Sequence, residues 1–133
     1  MTSRAPSEWR ETFRGWGLEL GFSSVGFAAA TEPPVARARL LEWLARGHQA
    51  GMHWMTRAPE RRVDPELILP GARSVIVATL LYDHPWTDET GELPRIARYA
   101  RGDDYHEVLG ERLHALLERI QRAVGRRVPV AHR

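Results

Sequence analysis

The sequence of this 133-residue chain predicts an α/β (α+β) fold in which a small sheet is flanked by helices. Residues 73–82 form a near-continuous apolar run with β-branched side chains, which is typical of a central strand covered on both faces. Apolar residues recur with a helical period in three other segments, near 7–20, 33–46 and 104–124. The length fits one domain over residues 1–133.

The first predicted helix has one strongly apolar face. Ser7 is the expected N-cap, and Gly21 is placed to end the helix. Spacings of four, three and four residues put four large side chains on this face: Trp9, Phe13, Trp16 and Leu20. The following residues 22–28 read as a short strand, in which Gly26 suggests a close approach of another backbone or a ligand.

The second predicted helix begins at residues 31–34, where two prolines suit a first turn, and ends at Gly47. Its apolar stripe is formed by Leu40, Leu41 and Leu44. Glu42 and Arg46 are one helical turn apart and form a favourable exposed pair.

The next segment, residues 47–65, is polar and irregular. It contains His48 and His53, but a separation of five residues does not place both on one helical face, so a metal site is not favoured. Residues 56–65 carry three arginines in a segment that also contains two prolines. They form either a solvated surface or a contact for an anion.

Residues 98–106 crowd Arg, Tyr, Asp and His around one glycine, directly before the longest helix. Residues 95–100 are expected to form a short strand. Asp104 and Glu107 have the spacing of a helix capping box, and Gly125 is placed to end the helix. The stretch is therefore either a capped turn or a binding site, since loops at helix N-termini often carry function.

The end of the sequence reads as the opening of a further strand, at residues 128–130, with no partner after it. A chain that stops at such a point is expected to be truncated. If the missing strands leave apolar surface uncovered, an inert remnant that tends to associate is one of the possible outcomes.

The composition excludes several classes of site. There is no cysteine, so this chain can hold neither disulfides nor iron–sulfur clusters. No apolar run reaches the length of a membrane span and no secretory signal begins the sequence, so the expected location is cytoplasmic.

All 19 basic residues are arginine, which suits phosphate or nucleic acid but also follows from codon bias. The net charge of only +2 argues against indiscriminate polyanion binding.

Several blocks in one order resemble the N-terminal part of epoxyqueuosine reductases, over about residues 16–130. The blocks are GLELGF at 17–22 with Val25-Gly26, LxWL at 41–44, GMHWM at 51–55, LPGARSVI at 69–76 and RYAxGxDYH at 98–106. The last block is the most specific of these. The blocks follow one another in the same order as in the family, which argues against a chance match.

The resemblance implies an oxidoreductase that reduces epoxyqueuosine to queuosine at the wobble position of tRNA anticodons. Members of that family use cobalamin and two 4Fe-4S clusters, and the clusters sit in a ferredoxin-like region after the N-terminal domain. A carboxylic acid donates a proton to the epoxide. The resemblance therefore implies tRNA as a partner and cobalamin as a cofactor, with the corrin carrying the redox step.

Carried over residue by residue, the resemblance implies cobalamin contact by Arg57 and a cavity lined by Arg98, Tyr99, Tyr105 and His106. For His106, a capping or packing role remains open beside anion donation. No catalytic residue and no metal ligand is assigned, because the family's proton-donating Asp and its cysteine motifs would follow Arg133.

The expectation is that this chain alone is inactive and that its partner is the absent ferredoxin-like half. The alternatives are a non-catalytic Arg-rich RNA-binding module or an inert remnant.

Overall fold

The computed structural model describes residues 5–82, 97–100 and 102–131, and it confirms the expected mixture of helices and a small sheet. The helices and strands are α1 (Pro6–Glu19), β1 (Ser24–Ala29), α2 (Ala36–Ala45), β2 (Ser74–Thr79) and α3 (Tyr105–Val124). Short 3-10 turns lie at His53–Thr56, Pro59–Arg62, Pro65–Leu67 and Arg98–Ala100. The three predicted helices and the strand near 73–82 are all present.

The two strands pair in an antiparallel sheet. The Ser23 amide donates to the Thr79 carbonyl at 2.8 Å, and the Ala30 amide donates to the Arg73 carbonyl at 3.1 Å. The expected coverage of β2 on both faces is not found in the described part of the chain, where Val77 is 52% exposed. Pairing with β1 gives β2 a neighbour along one edge but does not cover its faces, and no side chain of the strand is buried among the described residues.

The chain divides into two compact units. The first unit comprises Met1–Gly26 and Val77–Val128, and the second comprises Phe27–Ile76 and Pro129–Arg133.

The core of the first unit forms where α1 packs against α3. Phe22, Val25 and Leu116 are its buried side chains. The Arg112 guanidinium donates to the carbonyl of Gly21 at 2.7 Å, and Arg119 pairs with Glu19 at 2.7 Å. Apolar burial therefore drives the contact, and two arginines of α3 fasten the C-terminal end of α1.

The first helix shows why a glycine is needed at one position. A Cβ built on Gly17 would lie 2.4 Å from Cγ2 of Val25, which is closer than real Cβ atoms come. The absence of a side chain at Gly17 thus lets α1 lie directly on β1.

The aromatic residues on the same helix contact one another along one side. The ring centroids of Trp9 and Phe13 are 5.3 Å apart, and those of Phe13 and Trp16 are 5.6 Å apart. The predicted aromatic face of α1 is therefore present.

Helix ends follow the expected chemistry with one exception. Helix α1 begins at Pro6, so Ser7 is not its N-cap; instead the Glu8 carboxylate accepts from the Ala5 amide at 3.0 Å. Proline fits the first helical position because it has no amide hydrogen to leave unpaired. The predicted glycine terminators are confirmed, with φ of 87° at Gly21, 71° at Gly47 and 70° at Gly125.

In the second unit, α2 starts later than expected because residues 33–36 form a turn, with the Ala36 amide donating to the Pro33 carbonyl at 3.0 Å. Helix α2 packs against the turn at Pro59–Arg62. Arg37 binds Glu32 through two hydrogen bonds of 2.8 Å. These bonds lower the pKa of Glu32, chiefly through the hydrogen bond from the guanidinium.

The exposed pair of α2 forms as expected. The guanidinium of Arg46 lies 2.5 Å from the carboxylate of Glu42, one turn away.

Two local expectations were wrong, and a third was wrong for one of its two alternatives. The described part of residues 95–100 is a 3-10 turn rather than a strand, closed by the Ala100 amide on the Ala97 carbonyl at 2.9 Å. Residues 128–130 are not assigned to a strand; the Gln121 side chain donates to the Val128 carbonyl at 3.5 Å. A Cβ on Gly26 would meet no atom within 4 Å, so no other described backbone comes close there, and the approach of a ligand to Gly26 stays a prediction.

No helix in the described ranges is both long and apolar enough to cross a bilayer.

Substituting Gly17→Ala is expected to destabilise the chain by about 1–3 kcal/mol, because the new methyl group overpacks the contact with Val25. The matched control is Gly15→Ala in the same helix, where a Cβ meets nothing within 4 Å. This control should stabilise the chain by about 0.5–1 kcal/mol, since alanine favours helix. Urea unfolding of both variants measures the difference, and equal effects would refute the packing role of Gly17.

Candidate functional site

The N-terminus of α3 is organised by one carboxylate. Oδ1 of Asp104 accepts a hydrogen bond from the backbone amide of His106 at 2.9 Å. The same oxygen lies 2.9 Å from Nδ1 of the His106 ring. The predicted capping role of Asp104 is therefore confirmed, but its capping box with Glu107 is not, because the carboxylate accepts from the amide of His106 rather than from that of Glu107. These two bonds, with the backbone bond the larger cause, lower the pKa of Asp104.

An aromatic cluster surrounds this cap. The rings of Tyr105 and His106 stack with centroids 4.0 Å apart, and Tyr99 meets Tyr105 edge-on at 6.4 Å. Tyr99 is 57% exposed and Tyr105 is 43% exposed. The cluster therefore offers ordered aromatic surface to solvent, rather than burying it in the core.

The imidazole of His106 is held in place by the same contacts. Its Nδ1 is engaged by Asp104 and its ring is stacked on Tyr105. Its Nε2 has no partner within residues 102–131, so this nitrogen is available to a ligand. The capping and ligand-facing roles of this stretch are therefore compatible.

Arg98 belongs to the turn Arg98–Ala100 that carries Tyr99. The predicted role of its guanidinium lies outside what the structure describes, because the side chain of Arg98 is not among the described atoms.

Arg57 lies in the second compact unit, directly after the 3-10 turn His53–Thr56. Its backbone amide donates to the Trp54 carbonyl at 3.4 Å, and the side chain is exposed. The guanidinium forms no ion pair or hydrogen bond within the described ranges. The next residue, Ala58, has a φ of 44°, a left-handed conformation that alanine rarely adopts.

A pair that the sequence interpretation missed adjoins Arg57. The Arg62 guanidinium donates to the Trp54 carbonyl at 2.6 Å and lies over the Trp54 ring, 4.8 Å from its centroid. Trp54 remains 51% exposed. The tryptophan and the run of arginines are visible in the sequence, but their eight-residue separation across a proline matches no regular period that would pair them.

The structure thus brings together three of the five predicted site residues, Tyr99, Tyr105 and His106. Arg57 belongs to the other unit. Among the described residues there is no group of three or more His, Cys, Asp or Glu side chains that could hold a metal ion.

A family model described as "Epoxyqueuosine reductase QueG, DUF1730" matches residues 62–132, more than half of the chain. The chain belongs to the epoxyqueuosine reductase family. It is 41% identical over 132 residues to the epoxyqueuosine reductase of Alicycliphilus denitrificans, covering 90% of this chain and 35% of that relative. It is 44% identical over 103 residues to that of Gloeobacter violaceus, covering 77% of this chain and 32% of the relative.

Solved structures agree with the sequence matches. The epoxyqueuosine reductase of Streptococcus thermophilus superposes with a TM-score of 0.74 at 26% identity, covering 85% of this chain and 31% of that one. An epoxyqueuosine reductase with an epoxyqueuosine-modified tRNA-TYR stem loop matches with a TM-score of 0.73 at 26% identity, covering 87% of this chain and 32% of that one.

The chain spans about a third of the length of these relatives. The matches identify an oxidoreductase family and do not favour the alternative of a non-catalytic RNA-binding module.

The Asp104 cap predicts a pH-dependent contribution to stability. Because its folded pKa is lowered, the contribution is complete above the ordinary value of 3.8 and is lost as the pH falls through the folded value. Asp104→Ala should therefore unfold at lower urea concentration than wild type at neutral pH, and this difference should shrink in acid. Asp104→Asn keeps a capping side chain without the charge and should lose the acid dependence.

Asp103→Ala is the control for this experiment, since the preceding carboxylate does not cap α3. If this variant loses as much stability as Asp104→Ala, the cap is not the source of the effect.

Proposed function

We propose that this chain is the N-terminal domain, residues 1–133, of an epoxyqueuosine reductase and contributes part of its cobalamin-facing and tRNA-facing surface. The whole enzyme would reduce epoxyqueuosine to queuosine at the wobble position of the tRNA anticodon, in the cytoplasm. The observation that carries the proposal is the family match over residues 62–132, which includes the ordered cluster at the start of α3.

The exposed residues fit the periphery of a corrin. Such a ring presents amide groups, a phosphate and a wide apolar face, which suit guanidinium donors and aromatic rings. Arg57 supplies an exposed guanidinium with no partner in the described ranges, and Tyr99 and Tyr105 supply exposed rings. When bound, cobalamin supplies the redox-active cobalt for reducing the epoxide.

The residues of this chain have binding and orienting roles in that proposal. Arg57 would donate hydrogen bonds to the rim of the cofactor. The left-handed backbone at the next residue, Ala58, would fix the direction in which the chain leaves Arg57. Asp104 holds His106 by two hydrogen bonds, so that Nε2 of His106 is presented in one direction as a donor or acceptor. Arg98, carried by the same turn as Tyr99, is proposed to face the same ligand.

The iron–sulfur clusters of the family do not fit this chain, because it contains no cysteine. We assign them to a ferredoxin-like part outside these residues, which would be the partner of this domain. The proton donor is likewise not assigned to Asp103 or Asp104. Asp104 is committed to capping α3, and its lowered pKa makes it a poor acid at neutral pH.

Titration with cob(II)alamin, followed by visible spectra, tests the proposal on the chain itself. Arg57→Ala should weaken binding about tenfold, because a charge-assisted hydrogen bond is lost from an exposed but ordered position. Arg39→Ala removes an exposed arginine of α2 in the same unit and should bind like wild type.

Two results would count against this role. Unchanged affinity of Arg57→Ala would make that arginine an ordinary surface charge. Absence of any spectral change with wild type would mean that the chain does not hold the cofactor by itself.

A further inference from the structure

The pair of Trp54 and Arg62 has no role in the cofactor-facing proposal, yet its geometry is well defined. The Arg62 guanidinium is anchored to the Trp54 carbonyl at 2.6 Å and covers one side of the Trp54 ring at 4.8 Å. The hydroxyl of Thr56 donates to the His53 carbonyl at 2.8 Å and closes the same turn. The indole is therefore held in a fixed orientation from one face.

The rest of the indole is left in solvent. Trp54 is 51% exposed, and the neighbouring Met52 is 41% exposed. A tryptophan that only stabilised the fold would gain more by burial, since apolar area removed from water is the main favourable term in folding. An ordered but uncovered ring is the arrangement that a stacking site requires.

The segment that follows Trp54 in the chain is predominantly basic. Arg57, Arg61 and Arg62 lie within six residues, and Glu60 is the acidic residue among them. Asp64, the next carboxylate, lies 4.0 Å from the Arg37 guanidinium and accepts from the amide of Glu66 at 3.0 Å. The surface beside Trp54 therefore favours an anion.

The backbone is strained at one residue before Trp54 in the chain and at one residue after it. Ala50 has a φ of 46° and Ala58 a φ of 44°. Alanine in this conformation costs free energy that the rest of the turn must offset, and such strain clusters at ligand-binding positions.

We infer that Trp54 is a stacking platform for an unpaired RNA base, with Arg62 fixing the ring and Arg61 meeting the adjoining phosphate. Aromatic rings flanked by arginines are the recurring means of binding single-stranded nucleic acid, because every base offers a π face. The inference rests on the proposed function for its partner, tRNA, and adds the surface and the residue that would contact an unpaired nucleotide.

The test compares two fluorescent RNAs of equal length, a hairpin with a single-stranded anticodon loop and a fully paired duplex. Binding of the whole chain is followed by anisotropy. Trp54→Ala should weaken hairpin binding about tenfold, because one base stack is lost. Trp54→Phe retains a ring and should recover most of that loss. Duplex binding should be the same for all three proteins.

Two further variants separate stacking from charge. Tyr82→Ala removes an exposed aromatic residue outside this patch and should leave hairpin binding unchanged. Arg61→Ala should weaken hairpin and duplex binding alike and lower the salt dependence, since it removes a phosphate contact. Circular dichroism and urea unfolding establish that each variant is folded.

The outcomes distinguish the inference from the function on which it rests. If Trp54→Ala binds the hairpin as wild type does, the stacking role is wrong while the tRNA-facing role stands. If the loss is equal for hairpin and duplex, Trp54 does not read unpaired bases and the inference is also overturned. If wild type binds neither RNA, both proposals fail for this chain.

Sedimentation provides one more test. A dimer that Trp54→Ala abolishes would assign the ring to a second copy of the chain and would overturn the RNA inference.

Discussion

The close approach of α1 to β1 at Gly17 is the contact on which the first unit depends. With no side chain at that position, the helix backbone reaches Val25, and Phe22 and Leu116 close the small core around it. Because few apolar side chains are buried in the described residues, each of these contacts carries a large share of the apolar stabilisation. The arginines of α3 that bind Gly21 and Glu19 then fix the end of the helix rather than its position.

The same unit supports the candidate site through the other end of α3. Asp104 satisfies one of the free amides of the first turn, that of His106, and at the same time orients the His106 ring, which lies against Tyr105. One carboxylate therefore both caps the helix and orients the imidazole, so a capped turn and the proposed binding surface are compatible descriptions of this stretch. Because this carboxylate caps the helix and its pKa is lowered, Asp104 is not suited to serve as a proton donor.

The second unit organises its cations differently. Arg37 is neutralised by Glu32, and it draws Asp64 toward the same ion pair. Arg62 is used to hold Trp54, whereas Arg57 is left without a partner in the described ranges. One composition rich in arginine thus yields a guanidinium in an ion pair, another held against an indole ring and a third with no partner in the described ranges, and only their contacts separate them.

The sequence by itself determined the helices, the strand near 73–82, the glycine terminators and the Asp104 cap, because these depend on local periodicity and on the needs of nearby backbone groups. It also carried the family resemblance. The tertiary structure decided what local patterns cannot encode: the need for Gly17 beneath Val25, the exposure of β2, the turn at 98–100 and the pairing of Arg62 with Trp54. Each of these depends on contacts between residues that lie across a turn or on different elements. No fixed spacing in the sequence specifies such contacts.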